Sequence, residues 1–271
     1  MPYRRPDGSR SAVLDVDRLR FAYGDGRAVF HDFSLKVRSG EFVALLGPSG
    51  CGKTTLLNLL SGFLAPDAGS IRIDGAPVRP EAPGLGYVFQ TANLFPWLSV
   101  LENIRFGLRM RGDSLASQDE RSRKYLALVE LDHLADEMPH RLSGGQRQRV
   151  AIARTLALEP SLLLMDEPFG ALDAITRMTM NEELLRLWST LRQSILFITH
   201  DIDEAIFLSD RVVTLGLPPT GVHDEIAIDL PRPRDRVKTR AAPRFAELNA
   251  HLLRGIGAAT SRAHEREGCV A

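Results

Sequence analysis

Cysteine, lysine and long apolar runs are all scarce in this 271-residue chain, and each scarcity excludes something. Its two cysteines, Cys51 and Cys269, lie far apart, which argues against a disulfide framework or a cysteine metal site and points to a reducing compartment. No stretch approaches the roughly 18 apolar residues that a bilayer-spanning helix needs. The first ten residues are basic but lead into no hydrophobic segment, so they do not read as a secretory signal. The expectation is a cytosolic protein whose action at a membrane, if any, goes through a partner. An excess of either sign of charge is missing too. A formal net charge of +0 offers no whole-chain attraction for nucleic acid. Charged residues at 25% and hydrophobic ones at 44% are ordinary for a globular chain large enough to bury a sizeable core. Lysine occurs only at 36, 53, 124 and 238, so a lysine inside a motif stands out from its background.

What is present has a clear order along the chain. Residues 1–12 are polar and rich in Pro, Arg and Ser, and read as a loose arm. Segments 13–21 and 29–37 alternate apolar and polar residues and read as antiparallel strands with one buried face, with 70–75 as another. The stretch of about 91–145 turns helical, including a helix expected over 117–131. Short apolar runs at 162–165, 195–199 and 212–215 then alternate with helices, the pattern of parallel strands covered on both faces. A strand is expected at 225–230. Beyond it lies an extension, 231–271, with a short docking helix striped by Phe245, Leu248, Leu252, Leu253 and Ile256 and a loose tail beyond Gly257.

Two segments carry phosphate chemistry. Gly47-Pro48-Ser49-Gly50-Cys51-Gly52-Lys53-Thr54 has the spacing of a phosphate-binding loop, between an apolar run at 41–46 and a helical start at Thr55. Glycines let backbone N–H groups curl around phosphate oxygens, and the helix N-terminus adds positive potential. Lys53 would supply a point charge at the β- and γ-phosphates, and the Thr54 hydroxyl would bind Mg²⁺. Cys51 reads as a small filler rather than a reactive thiol. Downstream, the apolar run 162–165 ends in Asp166-Glu167. Asp166 would hold Mg²⁺ through water and Glu167 would activate the attacking water as general base.

The segment Leu142-Ser143-Gly144-Gly145-Gln146 sharpens this reading. With it the chain resembles the ATP-binding cassette family, the ATPase subunits of ABC transporters. Tyr23 precedes the phosphate loop, Gln90 follows a strand at 86–89, Ala171-Leu172-Asp173 matches the D-loop, and His200 ends the strand 194–199. The resemblance implies an α/β fold, a P-loop ABC nucleotide-binding domain over 13–230 with an antiparallel β subdomain and a helical signature subdomain. It implies ATP and Mg²⁺ as cofactors and ATP hydrolysis as the activity. Ser143, Gly144, Gly145 and Gln146, on a helix expected at 146–158, would complete the pocket of an opposite subunit, so two copies would sandwich two ATP molecules. Tyr23 would stack on adenine, a buried core tyrosine being the alternative. His200 would contact the γ-phosphate, and Gln90 would sense Mg²⁺ and the water. Gly170 departs from the pattern, which commonly has Ser there.

Segments 94–103, 167–173 and 229–235 narrow the resemblance to the nitrate, sulfonate and taurine importers of bacteria. That implies an ATPase working through a separate membrane permease and, indirectly, an external solute-binding protein. Phe95, Pro96 and Trp97 would floor the groove for a permease helix, although Trp97 reads equally well as a core residue. An exporter subunit, an importer of another solute, or a soluble ABC ATPase are the alternatives.

Overall fold

The structure, a computed structural model, describes residues 12–80, 84–219 and 221–267. The expected arm over 1–12 falls almost wholly outside them, as does Cys269. The alternating N-terminal segments form β1 (Ala12–Ala22) and β2 (Ala28–Arg38), antiparallel with Val16 opposite Leu35. With β4 (Ala68–Ile73) and β5 (Ala76–Pro77) they make a four-stranded antiparallel sheet in the order β2-β1-β4-β5.

A second sheet carries the apolar runs. It comprises β3 (Phe42–Leu46), β6 (Leu85–Val88), β7 (Leu162–Asp166), β8 (Ser194–Thr199), β9 (Arg211–Leu215) and β10 (Val222–Ala227). The order is β10-β9-β3-β8-β7-β6, parallel throughout except for β10. Strand side chains alternate between faces, so each run feeds two cores. Phe42, Ala44, Met165 and Phe197 pack on one side, while Val43, Leu45, Leu164 and Ile198 pack on the other with β1 and β2. That double burial is why these strands read as continuous hydrophobic runs.

The helices are α1 (Lys53–Leu60), α2 (Val100–Met110), α3 (Leu115–Leu128), α4 (Gly144–Leu156), α5 (Ala174–Leu191), α6 (Ile202–Leu208), α7 (Arg236–Ala241) and α8 (Pro243–Glu267). α4 starts two residues before the expected 146, because Ser143 caps it and both glycines lie in its first turn. β10 starts and ends earlier than 225–230, although Ile228 and Leu230 remain buried beyond it. The terminal helix is not short: α8 runs 25 residues, past Gly257, through a segment with alanines that favour helix. Phe245, Leu248 and Leu252 seat its first part in the larger core, whereas Leu253 is exposed.

Candidate nucleotide site

Parallel strands bring their C-terminal ends to one edge, and the chemistry-bearing segments leave from that edge. β3 ends at Leu46 and turns through a loop whose shape demands glycine. Gly52 has φ 97°, and a Cβ there would sit 2.7 Å from Val29 Cγ1. A Cβ on Gly47 would sit 2.5 Å from Cys51 Sγ. Cys51 is fully buried, so its side chain faces the core while its backbone stays in the loop, and burial pushes its thiol pKa up. Lys53 Nζ donates to the carbonyls of Gly47 at 2.7 Å and Pro48 at 3.0 Å. Thr54 is exposed on the first turn of α1, a turn without acidic residues, so the positive end of the helix is unopposed there. Ser49 and Gly50 are exposed beside it.

A cleft of about 270 Å³ opens beside this loop, lined by Tyr23, Arg27, Gly50, Lys53, Thr54 and Pro218 among others. Tyr23 is half-buried rather than a core residue. Its hydroxyl lies 2.9 Å from the buried Thr55 Oγ1, its ring meets Phe21 edge-on at 5.1 Å, and Arg27 stands 5.1 Å from its centroid. The ring is thus held in orientation at the cleft wall.

At the ends of β7 and β8 the carboxylates meet the imidazole. Glu167 takes φ 42°, a left-handed conformation that costs a non-glycine residue energy and recurs at functional sites. Its N–H donates to Ile198 O at 2.9 Å, and its Oε2 lies 3.0 Å from His200 Nδ1. Glu167 is mostly covered while His200 faces solvent. Burial, reinforced by the neighbouring Glu167, raises the Asp166 pKa; Lys53 and a hydrogen bond from the Tyr87 phenol oppose the rise. A Cβ on Gly170 would stand 3.3 Å from Gln90 Nε2 and 3.6 Å from Glu167 Oε2, so Gln90 reaches the Glu167 neighbourhood. Glycine at 170 therefore leaves room for that approach.

Ser143 and Gln146 form a reciprocal capping box. Gln146 N donates to Ser143 Oγ at 3.2 Å, and Ser143 N donates to Gln146 Oε1 at 2.8 Å. Gly144 and Gly145 pack close to Leu172 and Thr176, where a Cβ would come within 3.1 Å and 3.0 Å of them. None of residues 143–146 lines the cleft of Tyr23 and Lys53. Asp173 caps α5, accepting from Ile175 N, Thr176 N and Thr176 Oγ1, bonds that hold its carboxyl below the usual range.

The family model described as "ABC transporter" matches residues 30–170. The chain belongs to the ABC transporter ATP-binding family. It is 44% identical to the taurine import ATP-binding protein TauB of Pseudomonas aeruginosa, over 85% of this chain and 89% of that protein. It is also 44% identical to the nitrate import ATP-binding protein NrtD of Synechococcus elongatus, over 82% of each. Among solved structures it is similar to cbiO1 from Clostridium perfringens, described as part of the ABC transporter complex cbiONQ, with 28% identity and a TM-score of 0.75. That likeness covers 90% of this chain and 99% of the other. Members of the ABC family are ATPases, and this chain has the fold expected of one. No helix among the described residues is long and apolar enough to cross a membrane.

In this ABC ATPase, several site residues escaped sequence reasoning. Tyr87 lies opposite Leu164 on β7, two residues from Asp166 and on the same face, within diagonal reach of a tyrosine. Arg177 sits one helical turn after Asp173, a spacing that could have flagged it. Asn103 is fully buried on α2: its Oδ1 accepts from Phe95 N at 2.8 Å, and its Nδ2 donates to the carbonyls of Phe95, Leu98 and Ser99. An asparagine amid the apolar residues of a helix was the available signal. It fixes the turn that carries Trp97, which is 70% exposed and thus no core residue. Phe95, half-buried beneath, packs on Trp97 at 5.6 Å and on Phe106 at 4.4 Å.

Proposed function

We propose that this chain powers uptake of a small solute, such as nitrate, a sulfonate or taurine, through a separate permease fed by an external binding protein. The observation that carries the catalytic part is the 3.0 Å contact between Glu167 and His200 at the strand edge from which Lys53 also projects. Lys53 and the N–H groups of residues 47–55 other than Pro48 bind the phosphates, Tyr23 stacks on the base, and Glu167 takes a proton from the attacking water. His200 holds Glu167 and the γ-phosphate in register, while Gln90 reports on the same water. The donors around Lys53 suit Mg²⁺: a hydroxyl at Thr54, one carboxylate at Asp166 and an amide at Gln90 are all hard oxygen ligands. When bound, the ion neutralises the phosphate charge that builds up during transfer.

Ser143, Gly144, Gly145 and Gln146 do not line their own chain's cleft, and the turn before Asp173 packs against them; a second copy would bring this set onto the first copy's ATP. Ile175 and Met178, exposed on α5 beside Asp173, supply apolar area for that homodimer. Phe95, Pro96 and the exposed Trp97 form the docking surface for a cytoplasmic permease helix, which makes the protein peripheral to the membrane. The import reading draws on the relatives named for taurine and nitrate import.

A strain lacking the chain, grown on single sulfur or nitrogen sources, tests this. Rescue of growth on one source by the normal protein and not by Glu167→Gln is the expected result. Purified Glu167→Gln should bind ATP yet hydrolyse it at least about 100-fold more slowly, the low end of what a general base contributes. Near-normal turnover would remove Glu167 from that role.

A further inference from the structure

Arg177 closes a ring of contacts around the catalytic pair. Long helical side chains lean back toward the helix N-terminus, so an arginine in the first turn of α5 returns over the turn that precedes it. Its Nη2 donates to Leu172 O at 3.1 Å and to Gly170 O at 3.4 Å, and its Nη1 lies 3.7 Å from Asp201 Oδ2. Both ends of this bridge connect to the chemistry. On one side, Gly170 N donates to Glu167 O at 3.0 Å. On the other, Asp201 follows His200 directly, and its own geometry is tied down. Its N–H donates to Thr199 Oγ1 at 3.1 Å and its Oδ1 accepts from Glu204 N at 3.0 Å. The ring closes where His200 meets Glu167.

The two arms of the bridge need different chemistry at once, carbonyl acceptors on one side and a carboxylate on the other. A planar guanidinium presents fixed donors in both directions, whereas an ammonium is a single point. We propose that Arg177 is the positioning residue that sets the His200–Glu167 contact by holding the 170–173 turn against Asp201. This rests on the roles proposed above for Glu167 and His200. Because the 170–173 turn also lies beside Gly144 and the exposed Ile175, a second copy pressing there would act on hydrolysis through Arg177.

The test compares Arg177→Ala, Arg177→Lys, Glu167→Gln and the normal protein as full chains. For Arg177→Ala, kcat should fall between about tenfold and about 100-fold, the scale on which remote misplacement of reacting groups costs rate. The KM for ATP and the melting temperature should stay near normal, because ATP contacts and core packing are untouched. Arg177→Lys should recover only part of the rate, as it can serve one arm. A rise in KM matching the fall in kcat/KM, or full rescue by lysine, would overturn the inference in favour of general support or simple charge. Normal kcat in Arg177→Ala with an inactive Glu167→Gln would overturn it alone. Normal turnover in Glu167→Gln would instead sink the reading on which it rests.

Discussion

The edge that carries Lys53, Glu167 and His200 and the surface that carries Trp97 are built on different supports. At the edge, Glu167 and His200 directly follow strands buried in the sheet, and Lys53 opens α1 where the loop leaving β3 ends. Glu167 is held from Ile198 and by Gly170, and Asp166 by Tyr87 across β6 and β7. On the other surface, Trp97 lies on a turn between elements, held mainly by one buried amide, Asn103, and by ring contacts with Phe95. The edge has its geometry imposed by the whole sheet; the surface is a local structure that leaves its aromatic rings free for another body. Under the proposed function, chemistry that must align atoms within fractions of an ångström sits on the sheet-supported part, and contact with a partner sits on the locally supported part.

Three measurements would sharpen or break that contrast. The largest effect should come from Glu204, buried behind His200 on α6. Its Oε2 accepts from Thr199 Oγ1 at 2.5 Å. Burial pushes its pKa from 4.5 up to about 7, against the hydrogen bond from Thr199. The folded chain therefore keeps a proton that the unfolded chain releases. Its stabilising effect is full below pH 4.5 and is lost as pH rises through about 7. The difference amounts to about 3 kcal/mol. Urea unfolding at pH 5 and pH 8 should show this loss in the normal protein and a flatter dependence in Glu204→Gln. An unchanged slope would mean that the support behind His200 is not the buried carboxyl.

Tyr87→Phe comes next. It keeps the stacking on Phe89, whose ring lies 4.2 Å away, and removes only the donor to Asp166. Loss of a group that orients a metal ligand weakens metal affinity about 10-fold or more. Mg²⁺ titrations of nucleotide affinity should show that shift, with Mg²⁺-free ATP binding and melting temperature unchanged. The smallest effect in the isolated subunit should come from Trp97→Ala, which removes an exposed ring. Melting temperature and ATP affinity should not move, while binding to permease-containing membranes should weaken about tenfold or more, as for truncating an aromatic anchor. A drop in stability instead would make Trp97 part of the protein's own packing and erase the contrast.

The same contrast explains what could be read in advance. Lys53, Thr54 and Glu167 stood out as candidates because phosphate chemistry needs those residue types at that spacing beside strands of unmistakable pattern, whereas His200 came only with the family resemblance. The parallel strands were legible because burial on both faces leaves continuous apolar runs. Trp97 was not, since an aromatic residue near apolar neighbours looks the same whether it faces in or out. Tyr87 and Arg177 were hidden for another reason. Their partners, Asp166 and Asp201, lie 79 and 24 positions away in the sequence, and only the strand register and the return of α5 bring them together.

The order of strands and helices, the glycine-rich loop after β3 and the carboxylate that ends a strand were thus written in the chain itself, because local periodicity and spacing carry them. The pairing of His200 with Glu167, the grip of Arg177 on two turns, and the exposure of Trp97 were decided only by tertiary structure. Each of these depends on where separate segments come to rest against one another, and that is set by how the two faces of the sheet are packed.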